Sequence, residues 1–239
     1  MKRETKLIEK LGKGWYNKLE SFLWSENFTN IKKQLAKEKR RILPESKNLF
    51  KCFKLTPWEE LKVVIIGKTP YDILSKNKPV ADGLAYSYNN TNPVEIATLP
   101  EIINIIQEMD NDMNDGAGFP ERNTQLSDLA EQGVLLLNSS LTCVEGYRNA
   151  HKDLWIPFIK EVINKINEYN SGIIFMLWGK HGEQFENLID TKLHYVLKAG
   201  DPEKGGDAWF GCNNFSKANE ILKKNNGAGA QIVWYDTIF

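Results

Sequence analysis

The chain of 239 residues has little cysteine and no long apolar run. Its three cysteines, Cys52, Cys143 and Cys212, are widely spaced, and this sparse, odd set argues against a disulfide framework or a zinc site. No segment approaches the roughly 18 apolar residues that a membrane-spanning helix needs. The opening segment MKRETKLIEKLGKG lacks the apolar stretch of a secretory signal. We therefore expect a cytoplasmic protein without a membrane partner.

The sequence also lacks net charge, because 31 Lys and Arg residues balance 31 Asp and Glu residues. The balance is uneven along the chain: residues 1–62 carry 16 basic and 8 acidic side chains, whereas residues 63–239 carry 15 and 23. A basic segment beside an acidic body suits phosphate binding, although a solvated helix surface explains the charge equally well. Since no repeat or linker divides the chain, we predict one domain over residues 1–239, with 1–62 as its basic helical N-terminal part.

Four short apolar segments predict the strands of a sheet, at residues 61–67, 133–138, 173–178 and 194–199. Helices are predicted within 15–41 and at 100–109, 126–131, 154–169, 181–189 and 215–224, with a polar loop at 111–123. Strands alternating with helices indicate a three-layer α/β/α sandwich with a central, mainly parallel four-stranded sheet. Sites in such sheets form at the carboxyl ends of the strands, which here are followed by the loops after Gly67, Asn138, Trp178 and Ala199.

The segments around these loops resemble the uracil-DNA glycosylase superfamily, most of all its family 1 enzymes. The resemblance runs in the family's order over roughly residues 15–235. It rests on the segment from Thr98 to Ile105, on QGVLLLNSSLT with Asn149-Ala150-His151-Lys152, on Met176-Leu177-Trp178-Gly179, and on Phe210-Gly211-Cys212 with Phe215-Ser216-Lys217. It implies a monomeric enzyme that flips a base out of DNA and hydrolyses its N-glycosidic bond, with DNA as partner and with neither cofactor nor metal.

The resemblance also implies which residues bind the base. Asn138 takes the place of the asparagine that reads the base edge, and Tyr71 that of the tyrosine that blocks the thymine methyl group. Tyr86 replaces the stacking phenylalanine, and Lys68 adds a cation beside the pocket. The amide of Asn138 matches uracil in one orientation and cytosine in the other, so it favours a pyrimidine without fixing which one.

The two residues that carry the family's chemistry are replaced. The family sequence Gly-Gln-Asp-Pro-Tyr-His reads Gly67-Lys68-Thr69-Pro70-Tyr71-Asp72, so Thr69 takes the place of the catalytic aspartate. Asp201 takes the place of the catalytic histidine. Thr69 can hold a water but brings no negative charge to a sugar cation. Asp201, if protonated in an apolar pocket, can give a proton to the leaving base. Asp72 and Asp82 are two further candidate catalytic carboxylates, although each is otherwise read as an ordinary loop residue.

On the expected DNA face, Lys152, Lys204 and Lys217 are candidate phosphate ligands, and Gly205-Gly206 lie near where the family has its leucine wedge. Glu101 and Glu203 replace two phosphate-contacting serines. His151 is expected to be structural or to contact phosphate, and His181 and His194 are expected to be surface and strand residues.

Two hypotheses remain open at this point. The first is a DNA glycosylase for a modified pyrimidine and not plain uracil, in repair or in defence against foreign DNA such as a phage genome. The alternative is a catalytically inactive glycosylase-like module that binds DNA or a protein partner. The retained base-binding residues favour the enzyme, and the loss of both catalytic side chains favours the module.

Overall fold

The computed structural model describes residues 2–88, 99–114 and 124–235. Within them β2 (Val63–Gly67), β5 (Val134–Asn138), β7 (Ile174–Trp178) and β8 (Tyr195–Ala199) form a four-stranded sheet in the order β5-β2-β7-β8. Every neighbouring pair in it is parallel. The predicted α/β/α sandwich with a parallel central sheet is confirmed, and each strand begins one or two residues later than predicted.

Helices and short strands surround this sheet. Two small antiparallel pairs join β1 (Ile42–Leu43) to β6 (Cys143–Val144) and β3 (Leu74–Ser75) to β4 (Lys78–Pro79). The helices of the described ranges are α1 (Lys2–Leu11), α2 (Lys13–Leu23), α3 (Glu26–Lys37), α4 (Lys51–Leu55), α5 (Pro100–Asn114), α6 (Ser127–Glu131), α7 (Ile156–Tyr169), α8 (Gly179–Glu183) and α9 (Asn214–Asn226). Short 3₁₀ turns lie at Trp58–Glu60, Glu186–Leu188 and Ala228–Ala230.

The burial of the strands follows their composition. All five residues of β2, β5 and β7 are buried, as expected for continuous apolar runs with helices on both faces. The two edge strands differ: β5 is fully buried, whereas none of the residues of β8 is fully buried. Aromatic rings fill the layers beside the sheet, with the Phe22 ring of α2 5.7 Å from the Phe158 ring of α7 and the Trp178 ring of β7 4.9 Å from that of Trp209.

Two helical predictions need correction. The predicted helix 181–189 is the short helix α8 followed by a 3₁₀ turn. Helix α5 continues to Asn114, through the first part of the predicted polar loop 111–123, whereas residues 115–123 and Thr98 lie outside the described residues. The reason for the longer helix is tertiary: the Asp112 carboxylate accepts the backbone N–H groups of Phe215 and Ser216, each at 2.9 Å. An acidic side chain of α5 thus caps the start of α9.

In the described ranges, no helix is both long and apolar enough to cross a bilayer. The same ranges contain no group of three or more His, Cys, Asp or Glu side chains arranged to hold a metal ion.

Candidate active site

A small cavity lies at the carboxyl ends of the central strands. Gly67 at the end of β2 and Asn138 at the end of β5 are register partners. A Cβ atom added at Gly67 would lie 2.7 Å from both the Ala85 Cβ and the Asn138 Oδ1 atoms. A larger residue would push these segments apart, so the glycine allows the loop after β2, the end of β5 and the loop around Ala85 to close on one point.

The residues predicted to bind the base line this cavity together. Its walls include Lys68, Thr69, Tyr71, Tyr86, Asn138 and Arg148. The free volume is about 10 Å³. That is room for about one water molecule, so a pyrimidine enters only if side chains move. The structure therefore brings together the predicted base-binding set and Thr69, in a closed arrangement.

The two tyrosines are fixed by their surroundings. The Tyr71 hydroxyl donates to the Tyr86 carbonyl oxygen at 3.2 Å, and its ring packs edge-on against Tyr88 at 5.8 Å. The Tyr86 ring packs against the Trp178 ring, with 5.5 Å between their centroids. The backbone at Tyr86 has a positive φ of 61°. Burial raises the pKa of both tyrosines well above the ordinary value, because the phenolate is disfavoured away from water. Both tyrosine side chains therefore line the cavity in their uncharged form.

Thr69 and Asn138 are the buried polar side chains of the cavity, exposed by 5% and 6%. Among the described residues, no group forms a hydrogen bond with the Thr69 Oγ1 atom. A buried hydroxyl without a partner costs free energy, so the Thr69 hydroxyl is available to a molecule inside the cavity.

Arg148 is a wall of the cavity that the sequence reasoning missed. Its Nη2 atom lies 2.6 Å from the Oε1 atom of Glu101, whose side chain is 2% exposed. The guanidinium lies 5.3 Å from the centroid of the Tyr71 ring. Burial lowers the pKa of Arg148, but the charge of Glu101 and the hydrogen bond to it outweigh burial and raise this pKa, so the side chain stays cationic. Arg148 and Glu101 are 47 residues apart in the sequence, so no local sequence pattern predicts their ion pair.

His181 was also misjudged, since the expectation of a surface residue is wrong. Its side chain is 12% exposed, its Nε2 atom lies 3.0 Å from the Tyr86 hydroxyl, and its Nδ1 atom lies 4.0 Å from the Asp201 Oδ2 atom. Burial lowers the pKa of His181, and the charge of Asp201 opposes this effect. An imidazole thus lies beside Asp201, the position where the resemblance places a catalytic histidine, but it comes from helix α8, which begins directly after β7.

Asp201 is not among the residues that line the cavity. Its Oδ1 atom accepts the Glu203 N–H at 3.0 Å, and its Oδ2 atom lies 4.0 Å from the His181 Nδ1 atom. These contacts place the Asp201 carboxylate between the turn at Glu203 and His181. Beside it, Lys68 and Glu203 form an ion pair at 3.3 Å that links the loop after β2 to the loop after β8.

The other two candidate carboxylates do not reach the cavity. Asp82 is 2% exposed, and its oxygens accept Lys51 Nζ at 2.7 Å, the Ser87 hydroxyl at 2.9 Å and the Leu84 N–H at 3.1 Å. These hydrogen bonds fix Asp82 within the loop, and Asp82 is not among the residues that line the cavity. Asp72 is half-buried, and its carbonyl oxygen accepts the Gly146 N–H. Neither carboxylate lines the cavity, so the structure gives no support to their assignment as candidate catalysts, which stays a prediction.

The candidate DNA ligands lie at the surface. Lys152 is exposed on a groove of about 880 Å³ whose basic side chains also include Lys37, Lys39 and Arg40. Lys204 is exposed and Gly205 is half-buried. The backbone N–H groups of these two residues donate to the Asp201 carbonyl oxygen in a turn, and Gly206 is the next residue. Lys217 is exposed, with Nζ donating to the Cys212 carbonyl oxygen at 2.7 Å.

The remaining histidines have packing roles. His151 is buried, with Nδ1 3.0 Å from the Thr142 hydroxyl. His194 is buried just before β8, with its ring 5.6 Å from that of Phe175.

Comparison with known proteins gives the same family as the cavity residues. No protein-family model matches the chain. A uracil-DNA glycosylase of Fusobacterium nucleatum is 36% identical over 221 residues, covering 90% of this chain and 93% of the relative. One from Clostridioides difficile is 36% identical over 219 residues, with the same two coverages. The crystal structure of mimivirus uracil-DNA glycosylase superposes with a TM-score of 0.80 at 24% identity, covering 92% of this chain and 86% of that chain, which supports the fold. The chain belongs to the uracil-DNA glycosylase family.

Proposed function

We propose that the protein is a DNA glycosylase that excises a modified pyrimidine and acts poorly on plain uracil. One observation carries the proposal: the base-reading residues Tyr71, Tyr86 and Asn138 share one cavity with Thr69, which replaces the family aspartate. The uracil-DNA glycosylase relatives supply the reaction class, which is hydrolysis of an N-glycosidic bond in DNA. A modified base in foreign DNA, as in a phage genome, suits a member with altered chemistry, and the role is then antiviral defence more than general repair.

The proposed reaction is a hydrolysis in which the bond from the sugar carbon to the base nitrogen breaks. The electron pair stays on the base, the sugar carbon becomes cationic, and the oxygen of a water molecule bonds to that carbon. The water proton goes to solvent and the base anion later takes up a proton, so the products are abasic DNA and free base. In this scheme the Thr69 hydroxyl positions the water, and Asn138 hydrogen-bonds the base edge.

A direct assay tests this function. Single-stranded oligonucleotides that carry one uracil, 5-hydroxymethyluracil, 5-hydroxymethylcytosine or glucosylated 5-hydroxymethylcytosine are incubated with the protein, and abasic sites are detected by alkaline cleavage. We expect release of at least one modified base and slow or no release of uracil. Release of uracil as fast as by the Clostridioides difficile relative would contradict the proposed specificity.

A second candidate function is a binding module without catalysis, favoured by the closed cavity of about 10 Å³ and by the ion pair between Arg148 in its wall and the buried Glu101. The module predicts retention of DNA or a protein partner and no abasic product from any of the four oligonucleotides. The same assay therefore separates the two candidates.

A further inference from the structure

We infer that Arg148 is a catalytic residue, whose guanidinium stabilises the negative charge that forms on the departing base. This inference rests on the proposed function. Arg148 places a permanent cation in the wall of the cavity that also contains the predicted base-reading residues. Its side chain is 23% exposed, so it is half-buried. Asp201 takes the place of the family histidine, and a carboxylate there would oppose the development of a base anion. The positive charge of Arg148 supplies what a carboxylate at that position cannot.

The hydrogen bonds of Arg148 leave room for a ligand. Glu101 takes one N–H of the guanidinium through Nη2, at 2.6 Å. The Nε atom is buried, and it has no hydrogen-bond partner among the described residues. A second buried polar atom without a partner, Thr69 Oγ1, belongs to the same cavity. Both polar groups lack a hydrogen-bond partner among the described residues, and a bound molecule that carries oxygen atoms can provide one for each.

The charge balance of the pair fits this role. The Glu101 carboxylate, 2% exposed, would be costly to bury alone, and Arg148 offsets that cost in the resting protein. When the base leaves, its carbonyl oxygens gain negative charge and become better acceptors for the spare N–H groups of Arg148. The interaction is stronger in the transition state than with the neutral base, which is the condition for a faster reaction. Glu101 competes for the same guanidinium, so it limits the stabilisation and holds the side chain in position.

The variants are chosen so that the Glu101 carboxylate, 2% exposed, is never left without its cation. Glu101→Gln removes the competing carboxylate and keeps Arg148, whose side chain is 23% exposed and reaches water. The double variant Glu101→Gln with Arg148→Gln then removes the cation. Glu183→Ala is a control for the loss of an exposed carboxylate, because Glu183 lies at the exposed end of helix α8. Folding of each protein is checked by thermal unfolding. Single-turnover release is measured from single-stranded DNA that carries the modified base released in the direct assay, and from DNA that carries uracil or 5-fluorouracil, whose anion is the more stable leaving group.

We expect Glu101→Gln to retain or increase the rate and the double variant to lose about 100- to 1000-fold relative to it. The rate ratio of 5-fluorouracil to uracil should rise in the double variant, because an uncompensated base anion makes the reaction more sensitive to leaving-group stability. A purely structural arginine leaves that ratio unchanged. Equal rates and equal ratios in the folded double variant and in Glu101→Gln overturn the inference while the proposed function stands. No release of any base by the unmodified protein, including 5-fluorouracil and the modified pyrimidines, overturns both.

Discussion

The side of the cavity that would read a base and the side that would react with it are built differently. The reading side, Tyr71, Tyr86 and Asn138, is tied to the core: the Tyr71 hydroxyl bonds the Tyr86 backbone and Asn138 ends a fully buried strand. The side proposed to react has Thr69 and Arg148 in the wall, with His181 and Asp201 outside it. Among the described residues, the Thr69 Oγ1 and Arg148 Nε atoms have no hydrogen-bond partner. If these assignments hold, base selection depends on the fold itself, whereas the chemistry depends on side chains that can be exchanged with less effect on packing.

Removing Arg148 alone should have the largest effect, and it falls on stability. Arg148→Ala leaves the Glu101 carboxylate, 2% exposed, without its cation. We expect a loss of about 3–5 kcal/mol in the free energy of unfolding, as is typical when one partner of a buried ion pair is removed. Urea denaturation measures the change. Adding Glu101→Ser should recover most of it, and failure to recover would show that Arg148 stabilises by packing and not by pairing.

The reacting side should respond strongly to Thr69→Asp. A carboxylate at this position places negative charge beside the sugar cation, and we expect uracil release to rise by about 100- to 1000-fold. Single-turnover assays on uracil-containing single-stranded DNA measure the rate. Thr69→Asn, with the same shape as aspartate and no charge, should give no increase. If both variants behave alike, the missing charge is not what limits uracil excision.

The reading side should respond to Asn138→Ala in base choice as well as in rate. Base atoms left without a partner in the cavity cost roughly 1–3 kcal/mol, which is about 5- to 150-fold in rate. The ratio of rates on uracil and cytosine derivatives measures the discrimination. Loss of rate with the ratio unchanged would remove Asn138 from the reading side.

The link between Asp201 and His181 can be measured without turnover. The negative charge of Asp201 raises the pKa of His181 against the lowering effect of burial, while Lys68 and Arg148 lower it and Glu203 raises it. Asp201→Asn should therefore lower the pKa of His181 further, which NMR titration of the imidazole detects. His151 and His194 serve as internal controls whose titration should stay unchanged. If DNA cleavage is observed, the same variant should react more slowly and still bind DNA. A His181 pKa that does not fall contradicts the coupling.

The smallest effects should come from the exposed lysines. Charge reversal at Lys152 or Lys204 should weaken DNA binding, and the slope of log affinity against log salt should fall by about 0.9 for each phosphate that is no longer neutralised. Fluorescence anisotropy at several salt concentrations gives the slope. Lys192, exposed near the amino end of β8, is the control whose reversal should change little. A DNA affinity that does not change with salt concentration would contradict the role of these lysines as phosphate ligands.

The sequence predicted the strands, the position of the cavity and three residues of its wall, Tyr71, Tyr86 and Asn138. These features depend on apolar runs and on motifs that follow one another in the same order as in the family. The groups that it missed depend on contacts between distant residues. Tyr86 and His181 are 95 residues apart and Arg148 and Glu101 are 47 apart. Asp82 resembled a catalytic acid by position, but Lys51 and Ser87 take its oxygens. Helix α5 was predicted too short because the cap that it gives to α9 has no local signal.

The tight turn after Asp201 bears on whether the protein would react better with duplex DNA or with DNA whose bases are already unpaired. Gly205 and Gly206 present no side chain where the resemblance places a leucine wedge. If this turn faces DNA as the resemblance implies, these two residues cannot fill the gap that a flipped nucleotide leaves in the stack. We expect its rate on duplex DNA to follow how often the pair opens by thermal fluctuation, so that mismatched sites, loops and replicating strands react well before intact helices.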